Sequence, residues 1–72
     1  MLIGKRIKEV VNMQGRSVAW LATQMNYERA NVYNIFRRKS IDTELLRKLS
    51  VLLKYNFFFD LANDFENSDK EL

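Results

Sequence analysis

The segment Glu28–Ser40, "ERANVYNIFRRKS", holds the densest set of side chains able to do chemistry. Val32, Ile35 and Phe36 have the spacing of one buried helical face, and the other face carries Arg29, Ala30, Asn31, Asn34, Arg37 and Arg38. Glu28 is the only acid of the run, and Lys39 and Ser40 close it. A guanidinium presents a planar fork of donors, and a side-chain amide presents a donor beside an acceptor. These groups recognise a polar partner through hydrogen bonds; they do not make or break covalent bonds.

Composition points the same way. The chain has no Cys, which excludes disulfides and thiolate chemistry, and no His, which removes the commonest metal ligand and general base. Carboxylates and lysines are present, but no pair has catalytic spacing, and no phosphate loop or metal cluster occurs. The expectation is a non-enzyme without cofactor or metal, and no small-molecule ligand is evident. Met1–Lys54 holds 11 basic and 4 acidic residues, a net charge of +7, whereas Tyr55–Leu72 holds 1 basic and 5 acidic, a net charge of −4. A basic body with an acidic end points to a polyanionic partner for the body. Nothing resembles a signal peptide, and no apolar run approaches the ~20 residues that span a bilayer, so a cytoplasmic location without membrane contact is expected.

The elements that must position these side chains are all helical. The 72 residues include no Pro and two Gly, and neither hairpin dipeptides nor sustained period-two alternation occur. A first helix is predicted over Leu2–Gln14, burying Ile3, Ile7, Val10 and Val11 and ending at Gly15. Ser17 is placed to cap a second, whose stripe is Val18, Leu21, Ala22 and Met25. Asn26 and Tyr27 break that stripe, and Asn accepts a left-handed turn better than most residues. Glu28 then stands at the positive end of a third helix. Asp42 caps a fourth, with Ile41 and Leu46 in hydrophobic-staple positions and Leu45, Leu46, Leu49, Leu52 and Leu53 as its stripe.

Asn56 caps a fifth helix whose Phe57, Phe58, Leu61, Ala62 and Phe65 share an arc of about 140° and are expected first of all as core. Phe59 points away from that arc and hints at a subunit interface. Trp20 falls outside the second helix's stripe and is expected to pack against another element or a second subunit. One domain over residues 1–65 and a polar, frayed tail over residues 66–72 follow.

Two short helices joined by about three residues make a helix-turn-helix. Its close crossing calls for a small residue at Ala22, a turn at Asn26, and branched apolar residues at Val32 and Ile35. With these positions the unit "SVAWLATQMNYERANVYNIF" resembles the Cro and phage-repressor, or Xre-type, DNA-binding family, and the likeness extends through "LSVLLKYNFFFDL". It implies an all-α, five-helix, lambda-repressor-like bundle whose third helix, Glu28–Arg38, lies in the major groove of double-stranded DNA. It further implies that Arg29, Ala30, Asn31 and Asn34 face base edges. Arg29 suits guanine, Asn31 or Asn34 suits adenine, and the Ala30 methyl suits thymine.

Arg37, Arg38, Lys39 and Ser40 would pass phosphates on one side and Arg16 and Ser17 on the other, with Tyr33 beside the reading face, where it would stack on a backbone sugar or else cover the core edge. Asn26 replaces the family's usual Gly, and Val18 replaces a frequent Gln, which removes one side-chain phosphate donor. The implied activity is transcriptional regulation by operator occupancy, as a homodimer joined through the C-terminal Phe-rich region. The alternative is a protein-interaction module on the same scaffold, an antitoxin-like or anti-repressor partner.

Overall fold

The computed structural model describes residues 1–70 and consists of five helices without a strand among them. They are α1 (Ile3–Met13), α2 (Val18–Met25), α3 (Arg29–Phe36), α4 (Thr43–Leu53) and α5 (Phe57–Lys70). The starts follow the capping chemistry. Ser17 Oγ accepts from the Trp20 N–H at 2.9 Å, Asp42 Oδ1 from the Leu45 N–H at 2.8 Å, and Asn56 Oδ1 from the Phe58 and Phe59 N–H groups at 3.1 and 3.3 Å. Each satisfies a backbone donor that the helix itself leaves free.

Three helices end alike, with one residue in the left-handed conformation and a hydrogen bond reaching five residues back. Gly15 (φ 67°) is followed by Arg16 N–H donating to Val11 O, Asn26 (φ 56°) by Tyr27 N–H to Ala22 O, and Lys54 (φ 51°) by Tyr55 N–H to Ser50 O. This closure satisfies late carbonyls. Glycine adopts it freely, asparagine at small cost and lysine at more. Gln14 Nε2 also donates to Leu53 O at 2.6 Å, so the end of α1 closes a carbonyl of α4.

The core is apolar throughout. Ile3, Ile7, Val10 and Val11 from α1 meet Leu21 and Ala22 from α2, Val32 and Ile35 from α3, Leu46, Leu49 and Leu53 from α4, and Phe57 from α5. Burying each large side chain contributes about 1.5–3 kcal/mol. α3 packs on both α1 and α2, and α5 packs on α4. Trp20 is half-buried against this core, and the Arg16 guanidinium lies 4.3 Å from its ring centroid. Trp20 therefore packs within the chain.

The close approach of α1 to α3 rests on Gly4. A Cβ there would lie 2.3 Å from Ile35 O and 2.7 Å from Phe36 C, inside the atoms' own radii. Leu2 gives α1 no side-chain cap. Instead the Gly4 N–H donates to Arg38 O at 3.0 Å, so the positive end of one helix meets carbonyls leaving another.

α5 departs from expectation twice. Phe57 is fully buried, but Phe58, Leu61, Ala62 and Phe65 are exposed, so most of the anticipated core arc is surface. The cause is polar. Arg6 on α1 donates to Asp60 Oδ2 through Nε at 3.0 Å and to Tyr55 OH through Nη2 at 2.6 Å, while Tyr55 OH donates to Asp60 Oδ1 at 2.9 Å. The N-terminal ammonium pairs with Asp64 at 3.3 Å. Phe57, Asp60 and Asp64 share one side of a helix, so these ties turn that side inward and the aromatic stripe outward. The helix also continues through Glu66–Lys70, most of the stretch expected as a frayed tail; the rest of that tail, Glu71 and Leu72, lies outside the described residues.

Candidate nucleic-acid interface

α3 is two-sided. Val32 and Ile35 are 0% and 3% exposed, while Arg29, Ala30, Asn31, Tyr33 and Asn34 are exposed. At ~100° per residue, Ala30 and Asn34 lie near the centre of the exposed arc and Arg29 and Asn31 flank it. Ala30 leaves the middle low, so a flat polar edge can approach the longer side chains around it. The segment is aimed by its neighbours. The Asn26 turn sets its entry, Ala22 (5% exposed) keeps α2 close, and Gly4 holds its C-terminal end against α1.

Of the exposed residues of α3, Asn31, Asn34 and Tyr33 line two depressions that meet at Arg38, whereas Arg29 and Ala30 line neither. One is lined by Tyr27, Asn31, Asn34, Ile35, Arg38 and Leu45, and the other by Leu2, Lys5, Lys8, Tyr33, Phe36, Arg37 and Arg38. Arg37 Nη1 donates to Asn34 Oδ1 at 3.3 Å, which leaves the Asn34 amide N–H groups outward. Tyr33 stands edge-on to Phe36, with ring centroids 6.4 Å apart, and is 47% exposed. Lys39 and Ser40 are exposed in the connection to α4.

Arg16 and Ser17 stand apart from this cluster. Arg16 lines a depression with Gln14 and the Leu52–Lys54 end of α4, and its charge is held over Trp20. The Ser17 oxygen is engaged as a cap, but its hydroxyl proton remains free to donate.

Lys5 and Lys8 were not singled out from the sequence, although they adjoin Arg37 and Arg38 in the folded chain. Their signal was a three-residue spacing beside the Ile3, Ile7 and Val10 stripe, which puts both on one flank of α1. Among the described residues, the ion pairs are Arg6 with Glu9 and Asp60 and the N-terminus with Asp64. The cations around α3 join none of these pairs. Arg6 differs: hydrogen bonds to Tyr55, then Asp60 and Glu9, hold its guanidinium even more firmly protonated than usual.

Among the described residues no group of His, Cys, Asp or Glu is placed to hold a metal ion, and no helix is long and apolar enough to cross a membrane. Comparison with protein-family models, curated proteins and solved structures returns no match to this chain.

Proposed function

We propose that this chain is a sequence-specific double-stranded DNA-binding protein of the Cro and phage-repressor type, a cytoplasmic transcriptional regulator. The observation that carries the proposal is the division of α3. Its apolar side is sealed, while Arg29, Ala30, Asn31 and Asn34 stand on one exposed arc beside five cations, Lys5, Lys8, Arg37, Arg38 and Lys39, that join no ion pair among the described residues. On this reading α2, the Asn26 turn and α3 form a helix-turn-helix.

Arg29 donates to guanine O6 and N7, the Asn31 and Asn34 amides meet adenine, and the cations neutralise phosphates. Each neutralised phosphate steepens the loss of affinity with salt. A domain this small buries little surface on DNA, so useful affinity calls for two copies on a two-fold site. The exposed Phe58, Leu61 and Phe65 stripe of α5 is the surface we assign to that pairing.

Selection from a randomised duplex library at physiological salt tests the proposal. Enrichment of a palindrome with half-sites about one helical turn apart supports it. Retention without enrichment, or no retention, rejects it.

The exposed aromatic stripe also favours a second reading, a protein-interaction module in which α5 and the acidic end are the working surface. Replacing Arg29 and Asn34 with Ala separates the two. Function that survives the double replacement supports the interaction module; function that is lost supports DNA reading.

A further inference from the structure

The outer side of α4 carries a groove that lies apart from the exposed arc of α3 and meets the α5 stripe at one end, at Phe58. Its floor is Met25 and Tyr27 from the end of α2 and the following turn, with Val51 and Leu52 from α4. Arg47 and Lys48 stand on its rim. Beyond Arg47 and Val51 it continues, more open, to Lys54 and Phe58. Arg47, Val51 and Lys54 fall at i, i+4 and i+7, so the groove follows α4 for two turns, about 10 Å. Val51 is 66% exposed in its middle.

Two features say what would cover it. No Asp or Glu lines either stretch, and among the described residues Arg47, Lys48 and Lys54 join no ion pair. Glu44, one turn earlier on α4, pairs with none of them. The floor is apolar and includes a methionine, whose unbranched chain adapts to different partners. Phosphates match the rim but leave the floor bare. Of the acids on α5 whose side chains are described, Asp60 and Asp64 are already held by Arg6 and the N-terminus, which leaves a second copy's α5 with Glu66 alone to meet a rim of three cations.

We infer that this groove is a docking site for an acidic amphipathic helix of another protein. Apolar residues at i, i+3, i+4 and i+7 would lie on Met25, Val51 and Leu52, with Asp or Glu on both flanks meeting Arg47, Lys48 and Lys54. The inference does not depend on the DNA-binding proposal. The two surfaces do share Tyr27, which lines both the groove and the depression holding Asn31 and Asn34.

The test uses the full chain and a fluorescein-labelled synthetic peptide with Leu and Phe at those spacings and Glu elsewhere. Two control peptides have the same composition with the stripe scrambled, or Lys in place of Glu. The expected result is saturable binding of the first peptide alone, with amide shifts at Met25, Val51 and Leu52. Affinity should fall at least tenfold both in Arg47→Glu/Lys48→Glu and in Val51→Glu. All three positions are exposed, so the melting temperature should hold.

No binding, or equal binding of the scrambled peptide, overturns the inference. So do shifts confined to α3 or α5. Loss of self-association in the charge-reversed variant would make a second copy the occupant. Loss of DNA affinity without any peptide binding would make the rim a phosphate contact.

Discussion

α3 and α5 bury their residues by opposite rules. α3 turns Val32 and Ile35 inward and leaves amides and guanidinium groups in water, where they are already well solvated. α5 turns Phe57 inward beside Asp60 and Asp64 and leaves Phe58, Phe59 and Phe65 outside. The outer face of α3 needs no partner to be stable, and folding places little demand on which polar residues stand there. The outer face of α5 is one that water disfavours, and a covering surface would stabilise it. The two helices thus expose two kinds of surface, one polar and directional, the other apolar.

The largest expected effect tests the two sides of α5 against each other. Phe57→Ala should cost about 3–5 kcal/mol of stability, as other truncations of a buried aromatic do. Phe65→Ala, at 67% exposure, should change stability by less than about 0.5 kcal/mol. Equal melting shifts for the two would sink the proposed orientation of α5.

Next comes Gly4→Ala. A glycine-to-alanine change inside a helix ordinarily gains close to 1 kcal/mol. Here the added carbon meets the backbone of Ile35 and Phe36, so urea unfolding should show a loss of about 1–3 kcal/mol instead. A gain would mean that α1 and α3 are not held so close.

Arg29→Ala and Asn34→Ala address the outer face of α3 alone. Each should leave stability within about 0.5 kcal/mol, because both side chains are exposed. If α3 reads bases, each should also cost about 1–3 kcal/mol in binding to the selected operator. Binding weakened equally on operator and random duplex would reduce both residues to phosphate contacts.

The smallest effect is a gain. Lys54→Gly relieves the left-handed conformation between α4 and α5 and should add about 0.5–1 kcal/mol, whereas Asn26→Gly should add only a few tenths. A thermal melt of each variant ranks them directly.

How much of this was legible beforehand depended on whether the determinant was local. Ser17, Asp42, Asn56, Gly15 and Asn26 each announce a helix end through their own chemistry, and all five stand where that chemistry placed them. Val32 and Ile35 revealed the buried side of α3, and with it the residues left outside. Gly4 carries no local mark, because its role exists only when another helix's carbonyls arrive. Lys54 is not a turn residue by type, so the pattern of apolar spacing passes over it. The side of α5 was misjudged because hydrophobic periodicity counts only apolar residues. Arg6 and Asp60 are 54 positions apart, and their ion pair settles the rotation. Lys5 and Lys8 were visible as a pair, but their place beside Arg37 and Arg38 is tertiary.

The way α5 is fastened has a consequence for how the molecule opens. Among the described residues its buried anchorage is one ring, Phe57, and its other ties are the Phe57 N–H to Ser50 Oγ, the Arg6–Tyr55–Asp60 triad and a terminal ion pair. Among the described residues, no ion pair or side-chain hydrogen bond follows Asp64. Amide protons of α5 should therefore trade with deuterium through a partial opening well below the global unfolding free energy, while those of α1 and α3 wait for the whole chain. Added salt should speed the α5 exchange by weakening the ion pairs. A covering partner should slow it, so the exchange rate of one helix becomes a gauge of occupancy.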